Sequence, residues 1–288
     1  MPELPEVETM CRGIRPIVGR RVHRIEQPPC SCRPCTTEPS VKTMHRKLAG
    51  NTVAAIERRG KRVMLRFDND HRLVIEPRMS GLVLLSDPPG VDHLRLRIEF
   101  SDWDKAPSLQ MLVWDRRGLG TIRLLSPDEY EKNVNSRLGD DALVITRDAL
   151  AAKLNSSRRE IKVALLDQTV VAGIGNLYAA EILFVAGIDP RLRCEKLTRA
   201  QWSRLHAAIG LVLSEAIANE GSTLSDGTYR NALNQSGGYQ NMHRVYDRAG
   251  DICARCGEGE IRRIVQAQRS TFFCGHCQRR SGVHPAVE

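Results

Sequence analysis

The chain has 288 residues, 41% of them apolar and 27% charged. That is enough apolar material for real cores, so wholesale disorder is excluded, and the length suits one large or two ordinary domains. Forty-three lysines and arginines against 34 acidic residues leave a net charge of +9, which favours a polyanionic partner such as nucleic acid or an anionic membrane surface.

The start, Met1-Pro2-Glu3-Leu4-Pro5-Glu6, is acidic and broken by prolines. It lacks the basic start and apolar core of a secretory signal. No stretch reaches the ~18 consecutive apolar residues of a membrane span. The expected location is therefore cytoplasmic. Val7, Met10, Cys11 and Ile14 have helical spacing, which predicts a helix over residues 5–17. From about 20 to 125 the texture changes to short β-branched and apolar runs at 52–56, 62–67, 73–75, 82–85, 94–100 and 109–114. Turn residues punctuate them, so an antiparallel sandwich or barrel is expected. After Ser126-Pro127 the runs 149–154, 158–168, 177–186 and 199–219 carry helical spacing. The last 40 residues are short, basic and cysteine-bearing. The expected division is 1–130, 131–244 and 245–288.

Seven of the nine cysteines are clustered: Cys30, Cys32 and Cys35, then Cys253, Cys256, Cys274 and Cys277. Clustering in an unsecreted chain points to metal before disulfides. Two C-x2-C knuckles 17 residues apart match a four-thiolate zinc site, and four filled positions make it structural. The residues between, 261–265 and 270–273, read as a hairpin. Cys253 to Arg280 holds six arginines against two glutamates, a basic hairpin suited to nucleic acid. His276 reads as a surface residue. Cys30, Cys32 and Cys35 read as reduced thiols, with a metal aided by His23 or His45 as the alternative.

Gly173-Ile174-Gly175-Asn176 has no preceding strand signal and no acidic residue at dinucleotide distance, so it reads as a tight turn between helices. Asn176 can cap the second helix, whose N–H groups favour a phosphate; plain helix packing is the alternative. At the other end, removal of Met1 would expose the secondary amine of Pro2. An α-amino group titrates at about 7.7–8.0, so part of it is nucleophilic near neutral pH. Such an amine can form an iminium with a sugar C1′, with Glu3 beside it for proton transfer.

Met-Pro-Glu-Leu-Pro-Glu-Val-Glu-Thr over 1–9, the Gly173–Asn176 turn, and the knuckles with Ala267-Gln268-Arg269-Ser270-Thr271-Phe272-Phe273-Cys274 together resemble the formamidopyrimidine-DNA glycosylase family, nearly end to end. Its start is similar to the formamidopyrimidine branch and not to the endonuclease VIII branch. The resemblance implies an α+β fold: an N-terminal antiparallel β-sandwich with a catalytic N-terminal helix, then a helical helix–two-turn–helix domain with a C-terminal zinc-finger β-hairpin. It implies base-excision repair of double-stranded DNA by a monomer, with one structural zinc. Oxidised purines would be excised through a Schiff base at Pro2, followed by β,δ-elimination. Oxidised pyrimidines are the nearest alternative; a non-catalytic damage binder or a zinc-ribbon adaptor are the others.

By the same resemblance Pro2 is the nucleophile, Glu3 the assisting acid, and Lys61 the hairpin lysine near the lesion phosphate. Lys162, Asn176 and Arg269 fall on the DNA-binding set. Met79 and Arg117 match residues that fill the hole left by a flipped base. Leu119 stands where a phenylalanine is expected; it can wedge but cannot stack as a ring does. Residues 220–239 correspond to a loop over the extruded base, and 225–238 have their own sequence.

Overall fold

The computed structural model describes residues 2–102 and 107–279. They fall into two compact units. One runs through Arg137 and regains Ile217–Gln240; the other holds Leu138–Ala216 and the segment from Asn241 on.

In the first unit α1 (Leu4–Gly13) precedes β1 (Arg21–Glu26), β2 (Thr36–Glu38), α2 (Val41–Leu48), β3 (Val53–Arg59), β4 (Arg62–Phe67), β5 (Arg72–Glu76), β6 (Gly81–Leu84), β7 (Leu94–Ser101), β8 (Pro107–Asp115), β9 (Thr121–Leu125) and α3 (Pro127–Asn133). α1 ends earlier than its periodicity predicts, giving way to a 3-10 turn at Arg15–Ile17. Pro16 has no N–H to offer and its ring would strike the carbonyl four residues back. The strands form two sheets, β1-β7-β8-β6 and β2-β9-β5-β4-β3, whose apolar side chains share one core with α1 and α2. The pairing is antiparallel except for β2–β9; β2 arrives by a long connection, so no hairpin dictates its direction. α2 lies inside the stretch that reads as strands. Its Val41, Met44 and Leu48 are buried at helical spacing, and Ser40 caps it by accepting from the Thr43 N–H.

Residues 220–239 join this unit. Tyr229 and Ala232 belong to its core, and the Leu85 N–H donates to the Ala232 carbonyl at 2.9 Å.

The second unit contains β10 (Asp140–Asp141), α4 (Arg147–Leu154), α5 (Ile161–Leu165), β11 (Val171–Ala172), α6 (Asn176–Ala186), most of α7 (Arg199–Ala218), and the hairpin β12 (Ile261–Gln266) and β13 (Arg269–Cys274). The helix expected over 158–168 shrinks to α5, because 157–160 are drawn out to hydrogen-bond with 192–195. A two-residue strand, β11, does precede the Gly173 turn and pairs with β10. Among the described residues no helix is long and apolar enough to cross a membrane.

Candidate active site and nucleic-acid interface

The N-terminal residues are fixed by α1. Pro2 is buried and Glu3 is 4% exposed. The Glu3 N–H donates to the Glu6 carboxylate at 2.8 Å, and the other Glu6 oxygen accepts from the Ser222 N–H at 2.8 Å. One side chain thus satisfies an orphan donor at the helix start and ties the 220–239 segment to it. One turn on, Glu8 receives Arg58 and Arg12, each at 2.9 Å. Burial pushes the Glu8 carboxyl up, but the two guanidinium groups outweigh it and hold it below the usual range.

Arg58 also donates to the Gly60 carbonyl at 3.1 Å. Gly60 and Lys61 make the two-residue turn between β3 and β4, where Arg59 pairs with Arg62. Gly60 has φ +58°, which a type II′ hairpin demands of its first turn residue. The turn that carries Lys61 is therefore pinned to α1 through Glu8 and Arg58.

Met79 and Arg117 project from two neighbouring turns. Met79 is 42% exposed, Arg117 is exposed, and the Arg117 guanidinium lies 3.1 Å from the Met79 sulfur. By helical or strand reckoning Met79 and Leu119 would be core residues; Leu119 is half-buried and Met79 is not in the core. Both turns hang on Asp115, which is 1% exposed. Its Oδ1 accepts from Ser80 Oγ at 2.5 Å and from the Arg117 N–H at 3.1 Å. Its Oδ2 accepts from the Gly120 N–H at 2.8 Å and from Cys35 Sγ at 3.3 Å. Its carbonyl accepts two bonds from Arg95. Burial raises the Asp115 carboxyl, but the donors, Ser80 foremost, leave it below its ordinary value. The Cys35 thiol is pushed up to about 12 by burial and then by Asp115, so it donates as a neutral thiol.

Of the three N-terminal cysteines, Cys30 and Cys35 are held by separate partners. Among the described residues only Cys253, Cys256, Cys274 and Cys277 converge as metal ligands. Cys30 donates to the Asp92 carbonyl and receives Arg95 at 2.8 Å, and His45 receives the Ile25 N–H. The segment scaffolds the Arg117 turn instead: Gly118 has φ +61°, and a Cβ there would sit 2.2 Å from the Arg33 carbonyl.

In the second unit Lys162 is fully buried. Its ammonium donates to Asn176 Oδ1 at 2.6 Å, Thr271 Oγ1 at 2.7 Å and the Ser270 carbonyl at 3.1 Å. It is thus below the surface, where it locks Asn176 to β13. Asn176 also donates to the Ser270 carbonyl at 3.0 Å. Its expected role as a cap is corrected, since Gly175 is the N-cap and Asn176 the first helical residue. Arg269 is exposed, directly after the two-residue hairpin turn Ala267-Gln268. Both turn residues have positive φ, +45° and +61°, a strained choice for non-glycine residues.

The four knuckle sulfurs lie within 4.8 Å of one another, with Cys253–Cys277 and Cys256–Cys274 each at 3.8 Å. Tetrahedral zinc with Zn–S bonds of about 2.3 Å requires S–S separations of about 3.8 Å. The donor set fits, and it holds one structural zinc. His276 lies outside the set, 3.1 Å from Glu258. Glu181, fully buried in α6, clasps the approach to the finger by accepting from the N–H groups of Arg244, Val245 and Tyr246. Burial pushes its carboxyl up despite those donors. Sequence reading missed Asp115, Glu6 and Glu181 as organising residues. The available signal was an acidic residue inside an otherwise apolar run, as at Glu181 between Ala180 and Ile182.

Three family models match in chain order: the formamidopyrimidine-DNA glycosylase N-terminal domain over residues 1–122, its H2TH domain over 138–228, and a zinc finger found in FPG and IleRS over 250–280. A formamidopyrimidine-DNA glycosylase of Solibacter usitatus is 38% identical over 280 residues, covering 97% of this chain and 100% of its own. One from Chloroflexus aggregans is 38% identical over 283 residues, covering 96% and 98%. Among solved structures, a variant of Lactococcus lactis Fpg with DNA containing Fapy-dG superposes with a TM-score of 0.84 at 34% identity, covering 96% and 100%. The Lactococcus lactis Fpg with abasic-site DNA gives 0.83 at 34%, covering 96% and 99%. With a sandwich, helical unit and four-cysteine finger in the same order, the chain belongs to the formamidopyrimidine-DNA glycosylase family.

Proposed function

We propose that this protein is a bifunctional DNA glycosylase and abasic-site lyase. It excises formamidopyrimidines and 8-oxoguanine from double-stranded DNA and then nicks the strand by β,δ-elimination. The observation that carries this reading is the burial of Pro2 and Glu3 at the start of α1, with Glu6 clasping the Glu3 backbone. A free Pro2 amine attacks C1′, the C1′–N bond to the base breaks, and the base leaves with a proton. The nitrogen lone pair then expels O4′, which takes a proton from Glu3 as the sugar ring opens, and the resulting iminium acidifies C2′ and lets the 3′ and then the 5′ phosphate depart. Glu3 supplies and recovers protons during ring opening, and Lys61 on its hairpin turn faces the lesion phosphate. Asn176 and Arg269 hold flanking phosphates, and Met79, Arg117 and Leu119 occupy the vacated stack.

The chemistry is assigned to 1–130, the helical grip and lesion loop to 131–244, and the finger to 245–288. The protein acts as a monomer, in the cytoplasm, on nucleoid DNA.

Borohydride trapping of untagged protein tests this. A covalent adduct with both 8-oxoguanine-containing and abasic duplexes, lost in Pro2→Gly, is expected. Glu3→Gln should cut base excision by roughly 10²–10⁴-fold, the usual worth of a positioned proton donor. An adduct on the abasic duplex alone moves the substrate to oxidised pyrimidines or another base. No adduct on either, with proline verified as the terminal residue, overturns the catalytic reading in favour of a damage binder.

A further inference from the structure

The shortened start of α5 has a consequence for charge. Residues 157–160 are drawn out, and the stretch 157–161 is hydrogen-bonded along 192–195: the Ile161 N–H donates to the Leu192 carbonyl at 2.8 Å, Cys194 N–H to the Arg159 carbonyl at 3.0 Å, and Glu195 N–H to the Ser157 carbonyl at 3.0 Å. This two-stranded ledge borders an open groove of about 730 Å³ lined by Arg158, Arg159, Arg191, Arg193 and Lys196, with Glu160 the one acidic lining residue. Arg159 is spent on Asp167 at 2.8 Å and Arg191 on Asp189 at 2.6 Å. Of the other three cations, Arg158 and Arg193 share a single carboxylate, Glu195, at 3.9 Å and 4.0 Å. Lys196 is exposed and has no ion-pair partner among the described residues. Arg158 and Arg193 side chains are 86% and 62% exposed. Loose, wet ion pairs of this kind are worth little, so a phosphate can displace them.

The ledge is bolted to the finger. Gln266 donates to Glu160 at 2.6 Å and to the Pro190 carbonyl at 3.2 Å, and the Arg191 guanidinium stacks 4.8 Å over Phe273. Four residues separate Arg158 from Lys162, which holds Asn176 and Thr271. An extended chain spans at most about 14 Å in four residues, and duplex DNA rises about 3.4 Å per nucleotide on each strand.

We propose that the Arg158–Arg193–Lys196 groove is a second phosphate site, holding the backbone of undamaged duplex about four or five nucleotides beyond the phosphates gripped at Asn176 and Arg269. The inference rests on the proposed DNA-repair reading and extends its footprint. Counterion release then makes the groove visible: each neutralised phosphate adds about 0.9 to the slope of log affinity against log salt.

The test compares duplexes carrying a tetrahydrofuran abasic analogue between arms of five or of fifteen base pairs, by fluorescence anisotropy across a salt series. The triple variant Arg158→Ala, Arg193→Ala, Lys196→Ala should lose roughly tenfold in affinity on the long duplex near ~0.1 M salt, with the slope shallower by about 2. It should bind the short duplex as the native protein does. Arg158→Lys with Arg193→Lys should keep the native slope. An unchanged slope on the long duplex, or an equal loss on both lengths, overturns the groove. Failure of the native protein to bind either duplex overturns the DNA reading itself.

Discussion

Two buried charges organise the two units by opposite means. Asp115, an anion, collects donors: a serine hydroxyl, two backbone N–H groups and a thiol. Lys162, a cation, distributes its donors among an asparagine, a threonine and a carbonyl. Both are at most 1% exposed, where an unsatisfied charge would be costly, so both persist only because the surroundings satisfy them. The anion shapes backbone, because half of its donors are the main-chain N–H groups of Arg117 and Gly120, and it thereby aims turns that carry Met79 and Arg117. The cation shapes side chains, and it thereby aims Asn176 against the finger strand. A surface presented on turns needs its backbone fixed; a surface presented on a helix and a strand already has that and needs only its side chains oriented.

The largest test of this contrast removes zinc. Structural zinc sites supply about 10–16 kcal/mol to the domains they fold, and the knuckles hold both ends of the β12–β13 hairpin. Chelation is expected to unfold that hairpin and abolish DNA binding while the first unit keeps its cooperative melt, read by calorimetry and anisotropy. Loss of the first unit's transition as well would mean that the two units do not stand independently.

Next in size, Lys162→Met leaves three acceptors without their donor. At about 1–3 kcal/mol for each orphaned group, offset by not burying an ammonium, the net loss is about 3 kcal/mol. DNA affinity should fall with it, while the Met79–Arg117 surface is untouched. Denaturant unfolding and binding to abasic duplex measure the two effects. Native stability with unimpaired binding would show that Asn176 orients itself unaided.

Asp115→Asn is expected to cost about 2 kcal/mol, since the new amide N–H₂ faces the Gly120 N–H and the Cys35 thiol instead of accepting from them. The carboxyl is held below its ordinary value in the fold. Its stabilisation is therefore present above the unfolded-state value of about 3.9 and lost as pH falls through the lower folded value, where both states are protonated. The Asn variant should lack that acid-side component, measurable as a flatter stability profile below pH ~4. A profile identical to the native one would remove Asp115 from the hub.

The smallest effect belongs to the finger turn. Ala267 at φ +45° carries a left-handed conformation that costs an L-residue about 1–2 kcal/mol, so Ala267→Gly should stabilise the hairpin by up to about 1 kcal/mol after the entropy of glycine is subtracted. A destabilised hairpin, read from its melting temperature, would mean that the methyl group is needed for packing.

Much of the molecule was legible in its sequence because the signals are local. Short β-branched and apolar runs between turn residues mark β3–β8, three-to-four spacing marks α6 and α7, and paired C-x2-C knuckles state a tetrahedral ligand set by their spacing alone. α2 escaped because eight residues amid strands give only two helical turns of pattern. The helix over 158–168 was overread because nothing near Arg159 announces that Cys194 will hydrogen-bond to it.

The sequence by itself therefore determined the class of fold and the zinc ligands, and it carries the proposed roles of Pro2 and Glu3, each through side-chain type at short spacing. Only the tertiary structure decided what the charges do. It buried Lys162 behind Asn176, hung two turns on Asp115, drew Tyr229 and Ala232 into the N-terminal core, and left Arg158 and Arg193 sharing one carboxylate beside an exposed Lys196. The worth of a charge depends on which donors, acceptors and water surround it, and those neighbours come from residues tens to hundreds of positions away.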